Sequence, residues 1–173
     1  MKNIGLIGCG NIAETYFRSQ EYFNNINFVA CADINQEAAK NCAEENNIKS
    51  LTIDEILNNK DIDIILNLTI PQAHYEVSKE VLLNKKHVYS EKPMSVKFSQ
   101  AKELLELAEK NNLYFGNAPD TFLGGGGQLA RQIIDDGEIG KILTGNFIFA
   151  FPGVQTFHPN PESWFQQGGG PVI

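Results

Sequence analysis

The stretch KNIGLIGCGNIA, residues 2–13, decides the fold of this 173-residue chain. It begins as a short apolar run, which predicts a buried strand, and turns directly into a glycine-rich segment followed by a helical pattern. This order suits the pyrophosphate of a dinucleotide: Gly8 allows the tight turn, Gly10 has no Cβ to block the phosphates, and the small Ala13 lets helix and strand pack closely. The helix that follows points its backbone N–H groups at the phosphates.

Asp33 stands at the end of a second predicted strand, residues 27–32. In a doubly wound sheet a carboxylate at this point accepts hydrogen bonds from the ribose hydroxyls of the adenosine. It also repels a 2′-phosphate, so the sequence favours NAD(H) over NADP(H). Two alternatives remain: Asp33 is the N-cap of the helix that starts near Gln36, or a turn residue.

Composition and charge narrow the class of protein. The chain is 42% hydrophobic and 20% charged, which is ordinary for a globular protein, and it is long enough for one full core but short for two domains. Its formal net charge of −7 argues against nucleic acid or an anionic membrane as a partner. We find no signal peptide and no apolar run of membrane-spanning length, so we expect a cytoplasmic protein.

The three cysteines, Cys9, Cys31 and Cys42, show neither metal-ligand spacing nor a disulfide framework. We expect Cys9 and Cys31 to lie near one another on adjacent strands as small apolar residues, and we expect no metal site. The alternative is a redox role for Cys9 beside the glycine-rich turn.

Strand and helix patterns alternate along the chain, which predicts βαβ units around a doubly wound parallel sheet of the α/β class. Thr52 and Glu55 have the spacing of a capping box. The predicted strands are residues 3–7, 27–32, 49–51, 61–67, 86–89 and 113–116. The predicted helices are residues 12–23, 35–46, 52–57, 72–83 and 99–110.

Polar residues collect at the C-terminal ends of these strands, where a doubly wound sheet places its active site. Lys92 is the best placed for chemistry, because it follows a buried strand and is held on a Lys-Pro step that favours extended geometry. An ammonium beside a nicotinamide can polarise a substrate oxygen or help to move its proton during hydride transfer. The alternative is a solvated lysine next to a turn proline.

Two further motifs, NLTIPQAH at residues 67–74 and KHVYSEKP at residues 86–93, carry a family resemblance. Together with the glycine-rich turn, they resemble the signature of the glucose–fructose oxidoreductase and inositol dehydrogenase family (Gfo/Idh/MocA). The resemblance implies an N-terminal Rossmann domain, here residues 1–120, followed by a C-terminal α/β domain built on a large open sheet. It also implies NAD(P)-dependent oxidation or reduction of a sugar, a polyol or a related hydroxy compound.

The resemblance further implies a set of cofactor-binding residues drawn from several loops: Gly8, Gly10, Asn11, Ile12, Ala13, Asp33, Asn67, Thr69, Pro71, His74, Glu91 and Lys92. The backbone of Asn11 and Ile12 would donate to the pyrophosphate. Lys92 would take the family's catalytic role beside the nicotinamide. We interpret His74 as a structural or cofactor-wall residue rather than as an acid or base.

Residues 121–173 resemble the beginning of the family's second domain. Within them, residues 128–136 predict a helix, residues 137–140 a turn, and residues 141–151 the first strand of a second sheet. By the resemblance, an element with an Asp and a His or another polar residue comes next. We therefore expect an N-terminal portion of a protein roughly twice as long, which forms a homo-oligomer at full length.

Two other functions fit the same residues. One is a non-catalytic NAD(H)-binding module that responds to the cofactor ratio. The other is an NAD-dependent lyase or glycosidase, in which a hydride leaves and returns within one turnover, so that no net oxidation occurs.

Overall fold

Six parallel strands form one sheet in the part of the chain that the computed structural model describes, residues 1–119, 121–146, 148, 150, 152–156 and 161–165. The strands are β1 (Lys2–Ile7), β2 (Ile26–Ala32), β3 (Lys49–Ser50), β4 (Ile64–Asn67), β5 (His87–Ser90) and β6 (Phe115–Asn117). Their order, β3-β2-β1-β4-β5-β6, is that of a Rossmann sheet and confirms the predicted fold class. The order reverses between β1 and β4, so the loops after these two strands open a crevice at the carboxyl edge of the sheet.

The five helices of the first 118 residues are α1 (Ala13–Ser19), α2 (Gln36–Asn46), α3 (Ile53–Asn58), α4 (His74–Leu83) and α5 (Phe98–Lys110). The predicted capping box is present, since the Thr52 hydroxyl accepts from the Glu55 N–H and the Glu55 carboxylate accepts from the Thr52 N–H. Residues 12–23 are only partly α-helical, because α1 ends at Ser19 and gives way to a single 3-10 turn.

The core lies on both faces of the sheet. The face covered by α3, α4 and α5 buries Ile7, Ala30, Ala32, Ile56, Leu57, Ile62, Ile65, Val81, Leu82, Val88, Leu104 and Ala108. The face covered by α1 and α2 buries Ile4, Leu6, Ala13, Phe28, Cys31, Cys42, Ala43, Leu66 and Leu68. Because both faces are covered, the central strands read as nearly continuous apolar runs rather than as alternating ones.

A bulge in β2 changes which of its side chains face α1 and α2. Ile4 of β1 pairs with Phe28, whereas the next residue pairs with Ala30, so Val29 is an extra residue in β2. One extra residue reverses the alternation of side chains between the two faces. As a result Cys31 lies in the same cluster as Phe28, on the α1 and α2 side.

The chain divides into two compact units, Met1–Ala118 and Pro119–Ile173. In the second unit α6 (Gly125–Asp135) begins three residues before the helix predicted from Gln128, inside the glycine run, and α7 (Pro161–Trp164) is a short helix. In the predicted strand 141–151, residues 141–146, 148 and 150 have no strand structure and the other residues lie outside the described part. A single strand needs neighbouring strands to complete its hydrogen bonds, and the described residues of this unit supply none.

Within the described residues, none of the helices combines the length and the apolar character needed to cross a bilayer.

Candidate dinucleotide and catalytic site

Gly8 follows β1 in a conformation and a position that both require glycine. Its φ is 102°, a region that residues with a Cβ rarely adopt. A Cβ at this position would lie 2.6 Å from the carbonyl carbon and oxygen of Leu68 and 2.7 Å from the backbone nitrogen of Thr69. The turn after β1 therefore packs backbone against backbone on the turn after β4.

Gly10 has a different environment, although it lies in the same turn. A Cβ added to it would meet nothing within 4 Å among the described residues. Packing within the chain therefore gives no reason for a glycine here, whereas a pyrophosphate lying against the turn does. Asn11 is exposed, and Ile12, the N-cap residue of α1, makes no side-chain capping bond to the first turn of that helix. The turn thus has the open, uncapped character that the predicted cofactor requires.

Asp33 joins the ends of β1 and β2. Its Oδ2 accepts a hydrogen bond from the Cys9 N–H at 2.7 Å, and its Oδ1 accepts one from the Asn35 N–H at 2.8 Å. The second bond makes Asp33 a turn residue, but the N-cap alternative is wrong, because Asn35 caps α2 with its own side chain. A carboxylate has about four lone-pair sites, so these two bonds leave Asp33 able to accept from ribose hydroxyls as well.

Asn67, at the end of β4, is fully buried and uses its whole amide within the protein. Its Nδ2 donates to the His74 carbonyl oxygen and to Ser78 Oγ, each at 3.0 Å. Its Oδ1 accepts from the Thr69 hydroxyl at 2.6 Å and from the Thr69 N–H at 3.3 Å. With all four of its hydrogen bonds made within the protein, the Asn67 amide positions Thr69, and a place for Asn67 beside the cofactor stays a prediction.

His74, at the start of α4, bridges two loops of the carboxyl edge. The residue is 1% exposed; its Nδ1 lies 2.6 Å from the Pro93 carbonyl oxygen and its Nε2 lies 2.9 Å from the Thr69 carbonyl oxygen. Both ring nitrogens are thus occupied by backbone groups. Of the two sequence interpretations, this geometry favours the structural one, because neither nitrogen is turned toward solvent for acid–base chemistry.

Glu91 and Lys92 lie in a loop that is held from both sides. Glu91 accepts from the Tyr16 hydroxyl through Oε1 and from the Lys92 N–H through Oε2, each at 2.9 Å. The Asn117 amide donates to the carbonyl oxygens of Ser90 and Glu91, both at 3.0 Å. Lys92 itself is exposed, so a cationic side chain stands on a backbone that residues from α1 and β6 hold in place.

Tyr16 and Ser78 bond to residues of the predicted set without belonging to it, and Asn117, one of the polar residues at the strand ends, also lies outside that set. Asn117 pairs in register with Ser90, which pairs with Asn67, so the three form one row across neighbouring strand ends. A signal for this row was present in the sequence, since each is a polar residue closing an apolar strand. Ser78 gives a similar signal, as a small polar residue on the buried face of α4.

The sequence matches a known family over most of its length. Residues 2–118 match the sequence model of the Gfo/Idh/MocA family, described as an oxidoreductase family with an NAD-binding Rossmann fold. This range coincides with the first compact unit and contains every residue of the predicted cofactor-binding set.

Three known proteins illustrate the similarity. The 2,7-anhydro-N-acetylneuraminate hydratase of Escherichia coli is 27% identical over 147 residues, covering 83% of this chain and 38% of its own length. The inositol 2-dehydrogenase of Salmonella paratyphi B is 27% identical over 148 residues, which cover 80% of this chain and 43% of the dehydrogenase. The crystal structure of an NAD binding oxidoreductase from Klebsiella pneumoniae superposes with a TM-score of 0.72 at 28% sequence identity. The match covers 80% of this chain and 40% of the Klebsiella pneumoniae chain. The chain thus spans less than half the length of each.

Proposed function

The chain belongs to the Gfo/Idh/MocA oxidoreductase family, and from this premise we propose that it binds NAD(H) along the carboxyl edge of its sheet. We further propose that the protein transfers a hydride between the nicotinamide and a carbon that bears the hydroxyl group of a sugar, a polyol or a related compound. A cytoplasmic location and homo-oligomeric assembly stay predictions from the sequence.

The contrast between the two glycines of the β1 turn carries the cofactor proposal. Gly8 is required by the backbone of Leu68 and Thr69, whereas Gly10 faces space that no described atom fills within 4 Å of a built Cβ. This turn lies at the reversal of strand order, which is where doubly wound sheets bind dinucleotides. A pyrophosphate there explains a glycine that protein packing does not.

Asp33 and its neighbours support NAD(H) rather than NADP(H). The carboxylate is anchored by the Cys9 N–H, and the next two residues, Ile34 and Asn35, bring no positive charge to balance a 2′-phosphate. Ile34 is 97% exposed, and we propose that its side chain packs against the adenine. The ribose hydroxyls would donate to the lone pairs of Asp33 that the protein leaves available.

Calorimetric titration with NADH and NADPH tests the cofactor proposal on the 173-residue chain. We expect NADH to bind more tightly than NADPH, and we expect Asp33→Asn to reduce that preference by about tenfold or more, a difference of about 1.4 kcal/mol. The amide keeps an acceptor for the Cys9 N–H while removing the charge. Glu37→Gln, which removes an exposed carboxylate from the first turn of α2, is the matched control and should leave the preference unchanged. An unchanged preference in Asp33→Asn would return Asp33 to a purely structural role.

Lys92 is the residue that we propose for proton movement. Bound nicotinamide would supply the hydride acceptor or donor. In the reduction direction, the Lys92 ammonium would donate a hydrogen bond to the carbonyl oxygen of the substrate and give it a proton. In the oxidation direction, the neutral amine would take the hydroxyl proton back. The loop contacts of Glu91 with Tyr16 and of Asn117 with the backbone hold the backbone from which this side chain extends.

A second function, catalysis without net oxidation, is favoured by one relative, because the Escherichia coli protein is named as a hydratase. The product of the complete reading frame, supplied with NAD⁺ and a panel of polyols, sugars and anhydrosugars, distinguishes the two. Accumulating NADH indicates a dehydrogenase. A new sugar product at constant NADH indicates a transient hydride transfer, and cofactor binding without either product indicates the non-catalytic module.

A further inference from the structure

Three cysteines that are far apart in the sequence converge beside the glycine-rich turn. Cys9 lies in that turn, Cys31 lies on β2 and Cys42 lies on α2. Their three sulfur atoms are all within 4.8 Å of one another. The sequence predicts that Cys9 and Cys31 are neighbours, as the structure confirms, but it does not predict that Cys42 joins them from α2.

The bulge in β2 is what brings the second thiol into the cluster. Without the extra residue at Val29, the alternation along the strand would place Cys31 on the opposite face from Phe28. With it, Cys31 points toward α2, and its sulfur lies 3.3 Å from the Ala39 carbonyl oxygen. Cys42 faces the sheet from the next turn of α2 and packs in the same buried cluster.

The cluster is open to solvent on one side. A cleft of about 460 Å³ between the glycine-rich turn, α1 and α2 is lined by Cys9 and Cys42, while Cys31 is fully buried behind them. Asn41, Glu45 and Asn46 also line this cleft. An ion can therefore enter the cleft beside Cys9 and Cys42, and side-chain oxygen atoms lie on the same lining.

Two of the three thiols donate hydrogen bonds to backbone carbonyl oxygens. Cys9 Sγ donates to the Ala32 carbonyl oxygen at 3.7 Å, and Cys31 Sγ donates to the Ala39 carbonyl oxygen at 3.3 Å. A cation that binds these sulfur atoms as thiolates would take the place of both protons.

We propose that Cys9, Cys31 and Cys42 form a binding site for one thiophilic d¹⁰ cation of the Zn²⁺ and Cd²⁺ class, held by three thiolates with the fourth position open to the cleft. Zn–S bonds of about 2.3 Å in tetrahedral geometry place sulfur atoms about 3.8 Å apart. The sulfur separations, all within 4.8 Å, need to contract by no more than about 1 Å to reach this value. Each thiol that ligates the ion releases its proton to solvent. The cleft is also lined by Gly10, Asn11 and Ala13 of the proposed cofactor set, but the cation site takes none of these three as a ligand.

Titration of the reduced 173-residue chain with Cd²⁺ alone, in the presence of a phosphine reductant, tests the proposal. We expect one Cd²⁺ per chain by native mass spectrometry and a thiolate-to-cadmium charge-transfer band in the ultraviolet. Cys9→Ala and Cys42→Ala should each weaken binding by more than about tenfold. Gln36→Ala, which removes an exposed and uncharged side chain of α2 that does not line the cleft, should bind as the unsubstituted chain does.

Several outcomes would overturn the proposal. One is the absence of a charge-transfer band, whether no ion or several ions bind. Another is an affinity of Cys9→Ala and Cys42→Ala for Cd²⁺ that equals the affinity of the unsubstituted chain. If those variants fail to fold, thiol alkylation of the unsubstituted chain gives an independent measurement. Cd²⁺ should slow the modification of Cys9 and Cys42 together, and unchanged alkylation rates would exclude the site.

Discussion

The two halves of the carboxyl edge are held together by different kinds of contact. In the β1–β2 half, which comprises residues 8–12 and Asp33, the turn is shaped by glycine backbone and tied by one carboxylate. In the β4–β6 half, which comprises residues 67–71, His74, Ser78, residues 90–93 and Asn117, amide, imidazole and hydroxyl groups bond to one another and to the backbone.

This difference assigns ligand preference to the β1–β2 half and a rigid backbone to the β4–β6 half. A half that depends on one half-buried carboxylate can change its ligand preference at little cost in stability. When one residue of a closed polar network is removed, several hydrogen bonds are lost at once. The buried partners that are left unpaired then cost free energy. The β4–β6 half is therefore the part suited to holding a catalytic side chain in place.

The largest effect should come from the side chain that the β4–β6 half holds. In the product of the complete reading frame, Lys92→Ala should lower turnover by about 10²- to 10⁴-fold while NADH affinity stays nearly constant. Steady-state kinetics and calorimetry on the same preparation measure both. Lys97→Ala, an exposed lysine at the N-cap of α5, is the matched control. Normal turnover in Lys92→Ala would remove Lys92 from the mechanism.

The two glycines of the β1–β2 half should separate folding from binding. Gly8→Ala should lower the free energy of unfolding by about 3 kcal/mol or more, because strained φ adds to the backbone clash. Gly10→Ala should change it by less than about 0.5 kcal/mol but weaken NADH binding, since its Cβ takes the space of the pyrophosphate. Denaturant unfolding and calorimetry check the pair, and a Gly10→Ala variant with unchanged affinity would move the pyrophosphate elsewhere.

The polar network of the β4–β6 half should appear as stability. Asn67→Ala leaves Ser78 and the His74 carbonyl oxygen without their amide donor, so we expect a loss of about 1–3 kcal/mol in the free energy of unfolding. Asn58→Ala removes an exposed asparagine that donates to the Asp54 carbonyl oxygen and serves as control. Equal effects of the two substitutions in denaturant unfolding would contradict the idea of a stabilising network.

The smallest effect concerns the edge of the sheet at the amino ends of the strands. There Asp63, which precedes β4, bonds to Lys2 and Asn3 of β1. Hydrogen bonds from Lys2 and the Asn3 N–H lower the pKa of Asp63 below its ordinary 3.8. The folded protein thus holds this carboxylate ionised where the unfolded chain takes up a proton. Its contribution is present above the ordinary value and is lost as the pH falls below it.

Asp63→Asn should therefore cost less than about 1 kcal/mol near neutral pH, since Asp63 is partly solvated. The difference from the unsubstituted chain should shrink at about pH 3. Thermal unfolding at both pH values measures it, with the exposed Asp61→Asn as control. If the stability difference between Asp63→Asn and the unsubstituted chain grew in acid, the ionised Asp63 carboxylate would not be the form that stabilises the folded protein.

Local patterns predicted most of the first unit because its elements depend on nearby residues. The capping box at Thr52, the amphipathic repeat of α5 and the glycine-rich turn each follow from residues within one or two helical turns. The strand at residues 141–151 was also predicted from a local pattern, the alternation of apolar and polar residues. A strand needs partner strands as well, and the described residues of that unit offer none.

The sequence by itself determined the alternation of strands and helices, the turn at Gly8 and the position of Asp33 after β2, because each depends on short-range sterics and periodicity. Only the tertiary structure decided that the Asn67 amide is consumed internally, that His74 joins two loops, and that three distant thiols meet. Those outcomes depend on which strand ends become neighbours and on a single extra residue in β2. Long-range packing sets both, and no local pattern records it.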